Sequence, residues 1–98
     1  MSGALLGFAN LSGVNLEQTN LSYAKMSHAK LIRANLIGAN LTGAEGGDVI
    51  FRNANLTGAN LTGTDLFCSN LTGSDLTNTI QSGTILNGAT MPDGSVNN

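Results

Sequence analysis

Residues 54–63 read ANLTGANLTG, one five-residue unit written twice. A strand repeats its faces every two residues and an α-helix every 3.6, so neither has a period of five. The unit extends well beyond this stretch. Set in register with Ala4, the chain divides into 18 pentapeptides ending at Asp93, without insertion or deletion. The central residue is Leu at 6, 11, 16, 21, 31, 36, 41, 56, 61, 66, 71, 76 and 86, while Met26, Phe51 and Met91 keep it apolar; Gly46 and Gln81 are the exceptions.

Two residues before each centre the side chain is always small or β-branched. Ten are Ala, and Val14, Val49, Thr19, Thr64, Thr79, Thr84, Ser69 and Ser74 complete the set. Two inward positions with one outward residue between them is strand alternation. An odd period would reverse the faces at each step unless a turn reset them. Two residues remain after each centre to make that turn. The second of them is Gly at 13, 38, 43, 58, 63, 73, 83 and 88, and Asp48, Asn53, Asn78 or Asp93 elsewhere. These residues tolerate the positive φ that a type II turn requires at its third position. Phe8, Gln18, Tyr23, His28, Arg33 and Cys68 fit that demand poorly, so less regular turns are expected there.

Three extended residues span roughly 10 Å, close to the spacing of packed sheets. Four such sides would enclose an interior that facing Leu side chains can fill. The A-N-L-T-G pattern and its variants over residues 4–93 resemble the pentapeptide-repeat family. The resemblance implies an all-β fold, a right-handed quadrilateral β-helix with four pentapeptides per coil. The chain would then form one domain over 1–98, about four and a half coils with a short tail at 94–98. Residue n stacks beneath n+20. The expected core is Leu11, Leu16, Leu21, Leu31, Leu36, Leu41, Phe51, Leu56, Leu61, Leu66, Leu71 and Leu76. Phe51 is expected to fill the space that Gly46 leaves, and the outward Asn columns to hydrogen-bond along the rod as stacked amides.

Composition narrows the function. Only 10% of the residues are charged and the net charge is −2, which gives no basic surface for nucleic acid. A single cysteine, Cys68, excludes an internal disulfide and a multi-cysteine zinc site. The opening MSGALLGFANL lacks a positive n-region, and no apolar run approaches a membrane span. A soluble, cytoplasmic protein without nucleic-acid or membrane partners is expected.

No catalytic constellation emerges. His28 has no second His for a metal pair, and Cys68 lies two coils from it, too far for a Cys–His nucleophile. Asp65 and Asp75 fall on opposite sides of the rod, so they cannot share a proton. The N-L-S and N-L-T sequons arise from the repeat itself. A column of Ser22, Thr42, Thr62 and Ser82 lacks the matching neighbour that an ice-binding surface would need. With a Leu-filled interior, no cofactor, metal site or enzymatic activity is expected.

The expected function is a non-enzymatic structural or binding module, a rigid rod acting through protein contacts. Its coil ends are bare, and β-helix ends are prone to pairing. Self-association or docking of a related repeat protein through those ends is expected. The expected partner surface is Leu5 and Phe8 on the first coil, with Phe67 and Ile85 clustering on the first face near the C-terminal end. The alternative implied by the resemblance is a DNA mimic that binds DNA gyrase. Such members look like longer rods with strongly acidic faces and a C-terminal dimerising element, and this chain departs on all three counts.

Overall fold

The computed structural model describes residues 1–97. Each pentapeptide contributes one short extended piece and one turn. Parallel bridges join residue n to n+20 without interruption, from Leu5 with Lys25 through Asn35 with Asn55 to Asn70 with Thr90. A lag of twenty means four pentapeptides per coil. The chain therefore winds as a four-sided β-helix whose ladders run along the rod.

The sides are numbered by their stacked centres. Side one holds Leu6, Met26, Gly46, Leu66 and Leu86, and side two Leu11, Leu31, Phe51, Leu71 and Met91. Side three holds Leu16, Leu36, Leu56 and Leu76, and side four Leu21, Leu41, Leu61 and Gln81. Ten of the twelve expected core residues are buried, from Leu16 to Leu71. Leu11 and Leu76, in the terminal coils, are partly buried and pack against the others.

The backbone account nearly closes within each repeat, as buried polar groups require. The N–H of each centre and of each corner donates to the next coil, as Leu31 does to Ile50 O at 2.7 Å and Arg33 to Arg52 O at 2.9 Å. The N–H before each centre donates to the coil beneath, as Asn55 does to Ala34 O at 3.0 Å. The N–H after each corner closes the turn, as Ala34 does to Leu31 O at 3.1 Å.

The corners are more uniform than the residue preferences suggest. Phe8, Gln18, Tyr23, His28, Arg33 and Cys68 all take positive φ, between 56 and 64°, like the glycines in register with them. Positive φ at the third turn residue alone is the type II pattern. The expectation of irregular turns at these positions is thus overturned. A left-handed non-Gly residue costs on the order of 1–2 kcal/mol, but any other corner would break the ladders on both sides of it. At some corners a larger residue would also have to displace a neighbour: a β-carbon on Gly43 would stand 2.5 Å from Tyr23 Cε1, and one on Gly88 2.9 Å from Cys68 Sγ, both on exposed side chains that can swing aside. The last turn keeps its place, Gly94 N–H closing to Met91 O at 2.8 Å in the register of the other corners, but the positive φ falls on Gly94 (88°) and not on Asp93.

Beyond that turn the chain reverses. Val96 bridges Thr90 in antiparallel sense, against the parallel sense of the coils. The tail thus covers the outer edge of side two, where a bare end had been expected.

The backbone at Gly46 is closely surrounded. A β-carbon there would stand 3.0 Å from Asp65 O, 3.1 Å from Leu66 Cδ2 and 3.4 Å from Val49 Cγ2. Phe51 is fully buried on the adjoining side.

Ser69 is a local device. Val49 N–H donates to Ser69 Oγ at 3.1 Å, and Ser69 Oγ donates to Gly46 O at 2.5 Å. This bridges a turn whose own bond has stretched to 3.3 Å. Thr64 and Thr84 send their hydroxyls in the same sense, to Leu41 O and Leu61 O at 2.6 Å. Ser74 Oγ, buried on side three, has no partner.

Two outcomes follow for denaturant unfolding. Gly46→Leu restores the repeat pattern yet should lower stability by roughly 1–3 kcal/mol, because the site is already full; a gain would mean that the space is open. Ser69→Ala should cost about 1–3 kcal/mol by stranding its partners, whereas Ser74→Ala should be neutral or stabilising. Equal losses at the two serines would refute that distinction.

Candidate functional site

The outward residues of the rod are the first candidates, and most are engaged in holding turns. Asn40 Oδ1 accepts from the Thr42 N–H at 3.0 Å and the Thr42 hydroxyl at 2.6 Å. Asn55 with Thr57, Asn60 with Thr62 and Asn70 with Thr72 repeat the arrangement. These are side-chain turns bridging residues i and i+2. Among the described residues no Asn amide bonds another along a column, so the expected stacked-amide ladder is replaced by local staples. The staple also explains the N-L-T sequons: Asn and Thr stand two apart because they share one turn. It occupies the hydroxyls of Thr42 and Thr62, leaving that column no free lattice of donors.

Asp75 and Asp93 fill the same role with a carboxylate. The Thr77 hydroxyl and then its N–H hold the Asp75 carboxyl below its ordinary pKa, and Ser95 does the same for Asp93.

The corner between sides one and two carries Phe8, His28, Asp48, Cys68 and Gly88 in succession. Phe8 stacks on His28, with ring centroids 4.8 Å apart and planes 9° apart. His28 Nε2 lies 3.9 Å from Asp48 Oδ2 on the other side. An aromatic ring and a carboxylate thus flank the histidine. Lys25 and Lys30 sit in separate columns, bridged to Glu45 and Ile50, and Arg33 occupies the next corner. Cys68 is exposed, with Asp48 between it and His28 in the column. No acidic stripe runs the length of a side: the column of Glu45 and Asp65 also holds Leu5, Lys25 and Ile85. Among the described residues there is no surface cavity, no cluster of three metal-ligating groups, and no helix long and apolar enough to cross a membrane.

The four expected partner-surface residues are all exposed, Leu5 by 80% and Phe8 by 78%, with Phe67 and Ile85 less so. All belong to side one and its corner, at two levels of the rod. Leu5 and Phe8 lie in the first coil. Ile85 bridges Asp65 four coils further on, and Phe67 lies two residues beyond Asp65. The structure thus separates them into two rims. Met1 joins the first rim, while Ile80 and Val96 are exposed around the second.

Each rim borders an open edge. Among the described residues the N–H and C=O groups of Leu5, Asn10, Asn15 and Asn20 have no hydrogen-bond partner, whereas their counterparts one coil on are paired, as Lys25 is with Ala4 O and Leu6 N. At the other end the N–H groups of Leu76, Asn78, Gln81, Gly83 and Leu86 are likewise unpaired. The edges were legible from the repeat, but the tail that covers one quarter of the second was not.

The Pentapeptide repeats family model, in 8 copies, matches residues 1–36, 29–66 and 48–83. No curated protein matches the chain. Among solved structures it is similar to Rfr23, a pentapeptide repeat protein from the cyanobacterium Cyanothece 51142. The two are 35% identical over 96% of this chain and 64% of that one, with a TM-score of 0.89. It is also similar to HetL from Nostoc sp. strain PCC 7120, a pentapeptide repeat protein involved in heterocyst differentiation regulation. There the identity is 33% over 97% of this chain and 54% of that one, with a TM-score of 0.58. The chain therefore spans about half to two thirds of these relatives' lengths.

The carboxylate staple has a measurable consequence. A lowered folded pKa adds stability that is complete above the unfolded value and fades as pH falls through the folded one. Stability should therefore drop below about pH 4, and Asp75→Asn, which keeps the acceptor, should flatten part of that acid limb. An unchanged acid limb in a urea-melt pH series would show that the Asp75 staple carries no pH dependence.

Proposed function

The chain belongs to the pentapeptide-repeat family, and from that premise we propose that it is a non-catalytic, rigid β-helical rod that works by binding other proteins through its ends. The coils take the right-handed sense of the family, about four and a half of them over residues 4–93. The observation that carries this reading is the pair of exposed apolar side chains Leu5 and Phe8, set outside an interior that is already filled. An exposed apolar surface of this kind is best covered by another protein. The partner is accordingly a second copy or a related repeat protein, not a nucleic acid or a membrane.

Two features support a binding role over an enzymatic one. The interior is filled by Leu, Met and Phe side chains, which leaves no room for a substrate. The outward polar groups are consumed by turn staples, leaving few side chains to converge on a reacting atom. A cytoplasmic setting suits the free, exposed Cys68. HetL is involved in heterocyst differentiation regulation; a regulatory contact of that general kind suits a rod with exposed apolar side chains.

Sedimentation velocity over a concentration series tests the reading. The full chain should associate reversibly. Leu5→Lys and Phe8→Lys should each abolish association while changing folding stability by less than about 1 kcal/mol, as expected for exposed sites. A chain monomeric into the millimolar range, or association indifferent to both substitutions, would count against end contacts.

A further inference from the structure

Side two departs from the repeat in its second and third coils. In the flanking coils its outward column carries Asn10 and Asn70, whose side-chain oxygens accept from the N–H two residues on, at 3.2 and 3.0 Å. Between them stand Lys30 and Ile50, bridged to each other and to Asn10 and Asn70 on either side. Neither can staple a turn, since a lysine has no acceptor and an isoleucine no polar side-chain atom. The positions two residues later, held by Ser12 and Thr72 in the flanking coils, are Ile32 and Arg52. Lys30 therefore lies beneath Ile50, and Ile32 beneath Arg52, as a chequer of cation and aliphatic. Arg33 adjoins it at the corner, its N–H donating to Arg52 O at 2.9 Å. The turns close without their staples, Ala34 N–H to Leu31 O at 3.1 Å and Ala54 N–H to Phe51 O at 2.9 Å.

Three of the four basic residues are thus gathered on one side of a chain whose net charge is −2. Lys30, Arg33 and Arg52 are exposed, and Ile32 and Ile50 are half-buried. Among the described residues none of the three cations reaches a carboxylate; Asp48, at the corner that leads into Ile50, is turned to His28 at 3.9 Å. The Lys30 and Arg52 backbones stand about 8 Å apart, from two residues across at about 3.3 Å each and one coil at about 4.8 Å. Like charges at this spacing oppose the fold when no acid separates them. Nor do the five side chains serve the ladders, the corners or the interior. A surface that departs from the repeat without a structural return points to recognition.

The chemistry of the patch selects its occupant. Two guanidinium groups and an ammonium attract anions, and arginine binds a carboxylate or phosphate with a bidentate fork. The isoleucines set between them favour aliphatic groups, which a phosphate backbone does not carry. No aromatic ring stands among the five residues to stack a base. Three cations are also fewer than the roughly four to eight of a lipid-recognising cluster. We propose that side two, over Lys30, Ile32, Arg33, Ile50 and Arg52, is a docking face for an acidic segment of another protein in which carboxylates alternate with aliphatic side chains. An extended segment presents every second residue on one face, about 6–7 Å apart. Laid across a coil, it sets a carboxylate over Lys30 and an aliphatic group over Ile32, or the reverse order over Ile50 and Arg52. The face carries neither Leu5 nor Phe8, so it is separate from the end contacts proposed above.

Fluorescence anisotropy of a short labelled peptide alternating Glu and Val, titrated with the full chain, measures the contact. The comparison is a chain with Lys30→Asn, Ile32→Thr, Ile50→Asn and Arg52→Thr, which rewrites both repeats in the manner of the coils around them. It should melt no lower than the natural chain, because it gains two staples, while losing at least tenfold in affinity. Arg33→Asn, which keeps a residue tolerant of positive φ, should weaken binding severalfold on its own. A peptide alternating Glu and Gly should bind more weakly than the Glu–Val peptide, and one alternating Gln and Val should not bind. Leu5→Lys should leave peptide binding unchanged, which distinguishes this face from the end contacts. Equal affinity of the natural and rewritten chains, or no binding by either, overturns the docking face. Tighter binding of a single-stranded oligonucleotide or of phosphatidylserine vesicles than of the Glu–Val peptide overturns its occupant. Self-association of the natural chain that the rewritten chain loses also overturns it, and assigns the face to a second copy.

Discussion

A left-handed residue at every fifth position is the constraint on which the structure depends. An odd period would throw successive Leu side chains onto opposite faces, and only a corner that turns the chain restores them to one interior. Once the corners are in place the remaining geometry has little freedom. Four sides close a coil, each residue lands over its homologue twenty positions back, and the N–H and C=O groups meet without further adjustment. The nine non-Gly corners with positive φ show how strong the constraint is. Strain on the order of a kilocalorie at each is accepted, because one wrong corner would unpair four or more backbone bonds in the coils above and below.

Side chains respond to this backbone in two distinct ways. Inward ones fill volume, and the fit is tight enough that Val49 and Leu66 crowd the backbone at Gly46, with Ser69 bridging the stretched turn. Outward ones close turns. An Asn oxygen that accepts both an N–H and a Thr hydroxyl two residues on is not free to recognise anything else. The sides of the rod are consequently poor places for chemistry, and the corner of Phe8, His28 and Asp48 is a run of stacked and paired neighbours, not a converging site.

The core, the lag of twenty and the open edges were legible in the amino-acid pattern because each follows from the period alone. The corners were misread at Phe8, Tyr23 and Arg33 because intrinsic φ preference was weighed without the ladders that override it. The staples were legible in principle: Asn at one position with Ser or Thr two later is their signature, concealed by its coincidence with a glycosylation sequon. The fold-back of the tail was hidden for another reason. It needs only Gly94 after a staple-forming Asp93 and Ser95, a signal of three residues that breaks the period by one.

The uniformity of the sides bears on what a repeat rod of this kind can do. Along the sides each coil satisfies its neighbour, so a mutation there changes stability before it changes recognition. Residues that the repeat does not employ are differently placed. Leu5 and Phe8 in one coil, and Phe67 and Ile85 further along, stand outside the filled interior, at outward and turn positions that polar residues fill in most repeats. They depart from the pattern without adding to the core. A substitution there changes the surface and leaves the ladders, the corners and the packing as they are.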